Sequence, residues 1–174
     1  MKMIGDLHIH SRFSMATSRE GTPENLDFWA RKKGISLIGT GDFTHPVWRE
    51  ELKERLVTEG NGLYRLRDEY VKEESRKFPG KGTHFVVSGE ISSIYKKNGK
   101  TRKVHNVILL PSLEAADTMA QRLEKIGNIH SDGRPILGLD SHDLLEMMLD
   151  VCPDGILIPA HIWTPVSYTH LRAH

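Results

Sequence analysis

Asp6-Leu7-His8-Ile9-His10-Ser11 is the stretch on which the reading of this chain turns. It closes an apolar run from Ile4 to Ile9 that reads as a first strand. Alternate side chains of a strand share a face, so His8 and His10 can converge on one metal ion. Neutral imidazole suits zinc, iron, nickel or copper. A polar strand edge is the competing reading of a lone His-x-His pair, so the rest of the chain has to decide. Asp6 reads either as a partner orienting one imidazole or as an ordinary strand-end carboxylate.

Working outward, short apolar runs alternate with helical patterns, as in α/β architecture. Thr22-Pro23 predicts an N-cap followed by proline at the first helical position, Leu26, Trp29 and Ala30 an apolar face, and Gly34 a stop. Ile35 to Gly39 is a second strand ending in Gly41-Asp42, and His45-Pro46 opens a helix with Leu52 and Leu56 on one face. Residues 58–82 read as a polar excursion with a helical piece around Arg67 to Arg76. Thr83 to Gly89 is a third strand leading into Glu90. Asn98-Gly99 is a hairpin signal, and Lys103 to Leu110 returns with His105. Ser112 caps a helix through Ile126 that Gly127 ends. Asp140 caps another, carrying Leu144, Leu145, Met148 and Leu149. Ile156 to Ala160 is then a buried strand ending in His161. Strand C-termini of a parallel barrel gather at one face, where active sites are built. That would bring Asp42, Glu90, His105 and His161 to His8 and His10.

Composition narrows the function classes. The chain has 174 residues, 24 Lys+Arg against 23 Asp+Glu, and ten histidines. A net charge of +1 excludes a uniformly basic nucleic-acid binder, so such a role must rest on a local patch. No apolar run approaches the roughly 18 to 20 residues of a membrane span. The opening residues do not read as a signal peptide. One cysteine, Cys152, excludes an internal disulfide and a thiolate zinc cluster. A cytoplasmic protein is the expectation. The length is one domain's worth, short of the about 250 residues of a complete (β/α)8 barrel.

Taken in order, Asp6-Leu7-His8-Ile9-His10-Ser11, Gly39-Thr40-Gly41-Asp42, Gly89-Glu90, Val104-His105-Asn106 and Pro159-Ala160-His161 resemble the PHP (polymerase and histidinol phosphatase) superfamily. The resemblance implies a distorted (β/α)7 barrel holding up to three metal ions, zinc with manganese or iron as alternatives. The ligands it implies are His8, His10, Asp42, Glu90, His105 and His161. Asp6 to Ser14, Pro46-Val47-Trp48 and Thr164-Pro165 are closer still to the endonuclease Q group. That group implies metal-assisted hydrolysis of DNA on the 5′ side of deaminated or abasic nucleotides. A small-molecule phosphatase resembling histidinol phosphatase, a non-catalytic PHP scaffold and a protein-binding module without chemistry are the alternatives.

Two departures from the PHP pattern stand out. Phe43 follows Asp42 where the pattern has histidine; His45, before Pro46, reads as a helix cap rather than a ligand. The closing aspartate-x-histidine motif is missing. Asp140-Ser141-His142 is not a substitute, because Asp140 precedes a helical pattern and reads as its N-cap. Residues 1–165 are therefore expected to form a partial PHP barrel lacking its last strands, with weak metal binding and little hydrolysis. Residues 166–174 resemble a translated sequencing adapter, which makes His170 and His174 no ligands.

Other residues carry two readings each. Arg12 reads as a clamp on the scissile phosphate or as half of a surface ion pair. Lys96, Lys97, Lys100, Arg102 and Lys103 read as a DNA-backbone contact or as a solvated turn. Trp29 and Trp48 are expected to pack, Trp163 to pack at the rim or contact a base, and Cys152 to be structural.

Overall fold

The computed structural model describes residues 3–78 and 82–162. Trp163, Thr164-Pro165 and the 166–174 tail lie outside the described residues. In chain order come β1 (Gly5–Asp6), α1 (Pro23–Lys33), β2 (Leu37–Gly39), α2 (Pro46–Arg55), β3 (Leu56–Gly60) and β4 (Leu63–Leu66). Two short 3-10 turns follow, Asp68–Tyr70 and Glu73–Lys77. Then come β5 (His84–Lys97), β6 (Lys100–Leu110), α3 (Leu113–Glu124), β7 (Ile136–Leu137), α4 (Ser141–Val151) and β8 (Ile156–Ala160).

The fold is mixed α/β, an incomplete barrel in which the sheet curls through half a turn. β1, β2 and the start of β5 run parallel. β5, 14 residues long in all, then pairs antiparallel with β6, from Val87–Leu110 down to Lys97–Lys100. β8 pairs antiparallel with β6, and β7 joins β5 in parallel at Ser92 and Ser93. The βα alternation in the sequence thus yields parallel strands in the first half and a long hairpin in the second. The hairpin follows from its two-residue turn: Asn98 and Gly99 take φ of 54° and 73°, both left-handed, as a type I′ turn demands.

Four helix signals hold, while α3 stops at Glu124, short of the expected Ile126 and Gly127. Thr22 accepts from the Asn25 N–H, Ser112 from Ala115 and Asp140 from His142, and Gly34 closes α1 in the left-handed region. Phe43, Trp48, Leu52, Phe85, Ile91, Met119 and Leu123 are fully buried between helices and sheet. Each stabilises the fold by about 1.5–3 kcal/mol relative to exposure.

Five expectations change. Residues 58–82 hold the β3–β4 hairpin and only 3-10 turns in place of an α-helix. Trp29 is exposed, with the Lys32 ammonium 4.6 Å above its ring, because α1 turns Asp27 and Ala30 inward instead. On α4 only Leu144 and Met148 are buried, leaving Leu145 and Leu149 outside. β8 is buried in the sequence reading, yet Ile156 and Ile158 are exposed; among the described residues it pairs with β6 alone. β1 is also shorter than the sequence implied. Its ladder stops at Asp6, an exposed residue, and His8 and His10 extend beyond it.

Candidate metal centre

Glu90 lies inside β5, only 2% exposed, and its carboxylate is the hub of the site. Alternation turns Glu90 and Ser92 to one face of β5. The β5–β6 register sets His105 opposite Ser92, and β8 lays Ala160 beside His105, with His161 next in the chain. Glu90 and His105 therefore come from strand interiors of an antiparallel hairpin rather than from the C-termini of parallel strands. His8 and His10 follow the end of β1, and their rings meet edge to face with centroids 5.6 Å apart.

The four imidazoles surround the one carboxylate. His8 Nε2 and His10 Nε2 lie 3.0 and 3.1 Å from Glu90 Oε2. His105 Nδ1 contacts Glu90 Oε1, and His161 Nε2 is 3.8 Å from the same oxygen. His8 and His161 have ring centroids 4.9 Å apart. Two triads of donor atoms result, His8–His10–Glu90 and Glu90–His105–His161, each within 4.8 Å of one another and sharing Glu90. Burial opposes the charged form of Glu90, but hydrogen bonds with His10, His105 and His8 hold its carboxyl far below the ordinary range. Burial likewise opposes protonation of His10, and the Asp42 and Glu90 carboxylates outweigh it, pushing His10 up to about 9.

Asp42 occupies a different place from the other five. It is fully buried behind His10, where Oδ1 meets His10 Nδ1 at 3.1 Å. Its Oδ2 accepts from the Ser11 N–H at 2.7 Å and the Ser11 hydroxyl at 2.6 Å. This is a carboxylate–histidine pair, which fixes the ring and leaves Nε2 facing Glu90. Asp42 and His161 take left-handed φ of 52° and 59°. Such conformations cost about 1–3 kcal/mol outside glycine and cluster at functional sites. The turn beside Asp42 needs Gly41 (φ 66°), since a Cβ there would meet the Ile9 carbonyl and the His10 Cα. Trp48, buried as expected, donates Nε1–H to the Gly41 carbonyl at 2.8 Å and holds that turn.

The remaining candidates scatter. Arg12 gives its Nη2–H to Glu51 at 2.9 Å, in an ion pair on the surface. His45 sits at the N-cap position of α2 without a side-chain cap bond, its ring stacked on Phe13. Burial lowers its pKa. Asp140 caps α4 and also pairs with Lys97 at 3.1 Å, so Asp140-Ser141-His142 is helix-start chemistry. Alternation puts Lys96 and Lys103 on the Glu90–His105 face of the hairpin and Lys97, Lys100 and Arg102 on the other. Cys152 is buried and free.

Sequence reasoning missed Arg134 and Ser11. Arg134 Nη1 stands 4.0 Å from Glu90 Oε2, and Ser11 holds Asp42. The Asp132-Gly133 turn signal was readable, but nothing in it says that the chain returns to Glu90.

No family model matches the chain. It is 34% identical over 161 residues to an uncharacterized protein of Methanocaldococcus jannaschii, covering 92% of this chain and 16% of that one. A solved structure of the lesion-specific endonuclease PfuEndoQ from Pyrococcus furiosus superposes with a TM-score of 0.75 at 29% identity, over 97% of this chain and 36% of that one. Endonuclease Q in complex with a 27-mer duplex substrate bearing an abasic lesion gives a TM-score of 0.70 at 29% identity, over 92% and 35%. Among the described residues no helix is long and apolar enough to cross a membrane. The resemblance carried by the ordered motifs thus extends to three dimensions: the chain is similar in fold and sequence to endonuclease Q, spanning 36% of its length.

Proposed function

We propose that this chain carries the metal centre of a DNA endonuclease that hydrolyses the phosphodiester on the 5′ side of deaminated or abasic nucleotides. The observation behind this reading is the single buried carboxylate of Glu90 faced by four imidazoles. Apolar packing has no use for such a cluster, and burying charge is costly unless the group is paired or binds metal. The donor set fits a divalent ion, zinc in the first place with manganese or iron as alternatives. His8, His10 and Glu90 would hold one ion, and Glu90, His105 and His161 would hold another. Bound there, divalent metal supplies an activated water and positive charge for the attacked phosphate. Asp42 holds the His10 ring from behind, so Nε2 is aimed before substrate arrives. Similarity to an endonuclease Q solved with damaged duplex supports DNA as the substrate. So do Lys96 and Lys103, on the same hairpin face as Glu90 and His105.

Two duplexes, one with a deoxyinosine and one with an abasic site, are the test, beside p-nitrophenyl phosphate as a small ester. The zinc- or manganese-loaded protein is expected to nick the damaged strands 5′ to the lesion, slowly as befits a partial barrel, and His8→Ala with His10→Ala to abolish nicking. Hydrolysis of the small ester without any nicking would replace this reading with a phosphatase.

A further inference from the structure

The geometry points to Arg134 as the phosphate-binding cation of this site, a role that rests on the phosphoesterase reading and names its anion subsite. Arg134 Nη1 lies 4.0 Å from Glu90 Oε2, the oxygen that also meets His8 and His10. At that distance the guanidinium faces the carboxylate without the two-point, fork-to-fork geometry that a committed Arg–carboxylate pair adopts. The side chain is about one-third exposed, so its N–H groups also face open space. That space is a cavity of about 550 Å³, lined by Ser92, Ile94, Lys103, His105, Asp132 and Arg134 among others. Its volume lies within the range of small-ligand sites. The lining thus holds the cationic side chains of Lys103 and Arg134 and one candidate metal ligand against a single carboxylate, Asp132, whose Oδ1 is already engaged by the Arg134 and Met15 N–H groups; an anion is the ligand that this balance favours.

The backbone under Arg134 is tied down on several sides. The Arg134 N–H donates to Asp132 Oδ1 at 2.9 Å, and Gly133 N–H to the Phe13 carbonyl at 2.9 Å. The Thr44 hydroxyl donates to the Gly133 carbonyl at 3.1 Å. Gly133 packs directly on Asp42: a Cβ there would run into its carboxylate. One residue after Arg134, the Pro135 carbonyl accepts the Ser92 N–H, and β7 begins. The loop bearing the guanidinium is therefore fastened to the turn that bears Asp42 and to the strand that bears Glu90. Fixed placement of a planar, always-charged fork is what recognition of a phosphate oxygen pair requires. Arg12, the cation the sequence offered for this role, is held by Glu51.

The test uses the full chain loaded with zinc, and compares wild type, Arg134→Gln and Arg134→Lys. Inorganic phosphate binding is read by calorimetry, metal content by elemental analysis and stability by thermal melting. Wild type is expected to bind phosphate about tenfold or more tighter than Arg134→Gln, with Arg134→Lys between them and metal content equal in all three. On an abasic duplex, Arg134→Gln should lower the slope of log affinity against log salt by about one. Equal phosphate affinity in wild type and Arg134→Gln would overturn the assignment while leaving any nicking activity to support the endonuclease. Arg134-dependent phosphate binding without nicking would do the reverse. A loss of metal content or melting temperature with phosphate affinity unchanged would make Arg134 a counter-ion of Glu90 only.

Discussion

His10 is gripped from two sides, and its two nitrogens have separate tasks. Nδ1 meets Asp42 and Nε2 meets Glu90. Converting Asp42→Asn keeps the shape and removes the charge that favours a proton on Nδ1. A partner of this kind typically changes metal affinity by about 10- to 100-fold. Asp42→Asn is therefore expected to bind zinc about 10- to 100-fold more weakly with unchanged stoichiometry, measured by competition with a chromogenic chelator. Loss of a whole equivalent of metal would instead make Asp42 a direct ligand. Most of this cluster was legible in the sequence because each member interrupts or ends an apolar run. His8 and His10 show it best, since period-two alternation alone puts them on one face. Arg134 was not legible: its approach to Glu90 depends on Phe13, Thr44 and Asp42 fastening Gly133, contacts that no local pattern records.

Between elements, the legible features are those with local physical causes. The caps Thr22, Ser112 and Asp140 and the Asn98-Gly99 turn each act within four residues, and each is in place. The β3–β4 hairpin escaped because its strands are short and charged, although Asn61-Gly62 turns it with φ of 52° and 78°. Long-range fastening between helices was equally hidden. Asp117 of α3 accepts from Arg49 Nε–H at 2.9 Å and Lys53 Nζ–H at 2.8 Å, both on α2. Arg49 also donates to the carbonyls of Phe43 and Thr44, so α3 steadies the turn that follows Asp42. Burial works against the Asp117 carboxylate, yet Lys53 and Arg49 more than offset it and lower its pKa below 3.8. A carboxylate depressed in the fold stabilises above its unfolded value and loses that contribution as pH falls through its folded value. Asp117→Asn should therefore destabilise by about 1 kcal/mol at neutral pH, allowing for partial exposure. The gap from wild type should close as pH drops below 3.8, read from urea midpoints at each pH. A gap that stays constant into acid would mean the carboxylate is not what joins the helices.

Across the whole molecule, charge is nearly balanced, at +1, but apolar surface is not evenly hidden. Ile156 and Ile158 project from one face of β8 at 54% and 41% exposure. The βα rhythm correctly implied α/β architecture, and the barrel came from the family resemblance, but periodicity does not say where a sheet stops being covered, which is why β8 reads as buried. An edge strand with apolar side chains and unpaired backbone groups is a template for pairing with another chain. The chain by itself is accordingly expected to associate through β8 as concentration rises, seen as a growing weight-average mass in sedimentation equilibrium. A lysine on the exposed face adds charge to the edge without touching the core, so Ile158→Lys should return the protein to single chains. Its melting temperature should stay near that of wild type at low concentration, because the lysine stem can cover the surface that Ile158 covers while its ammonium reaches water. If wild type is a single chain at every concentration, or Ile158→Lys associates as readily, this edge is not the route of association.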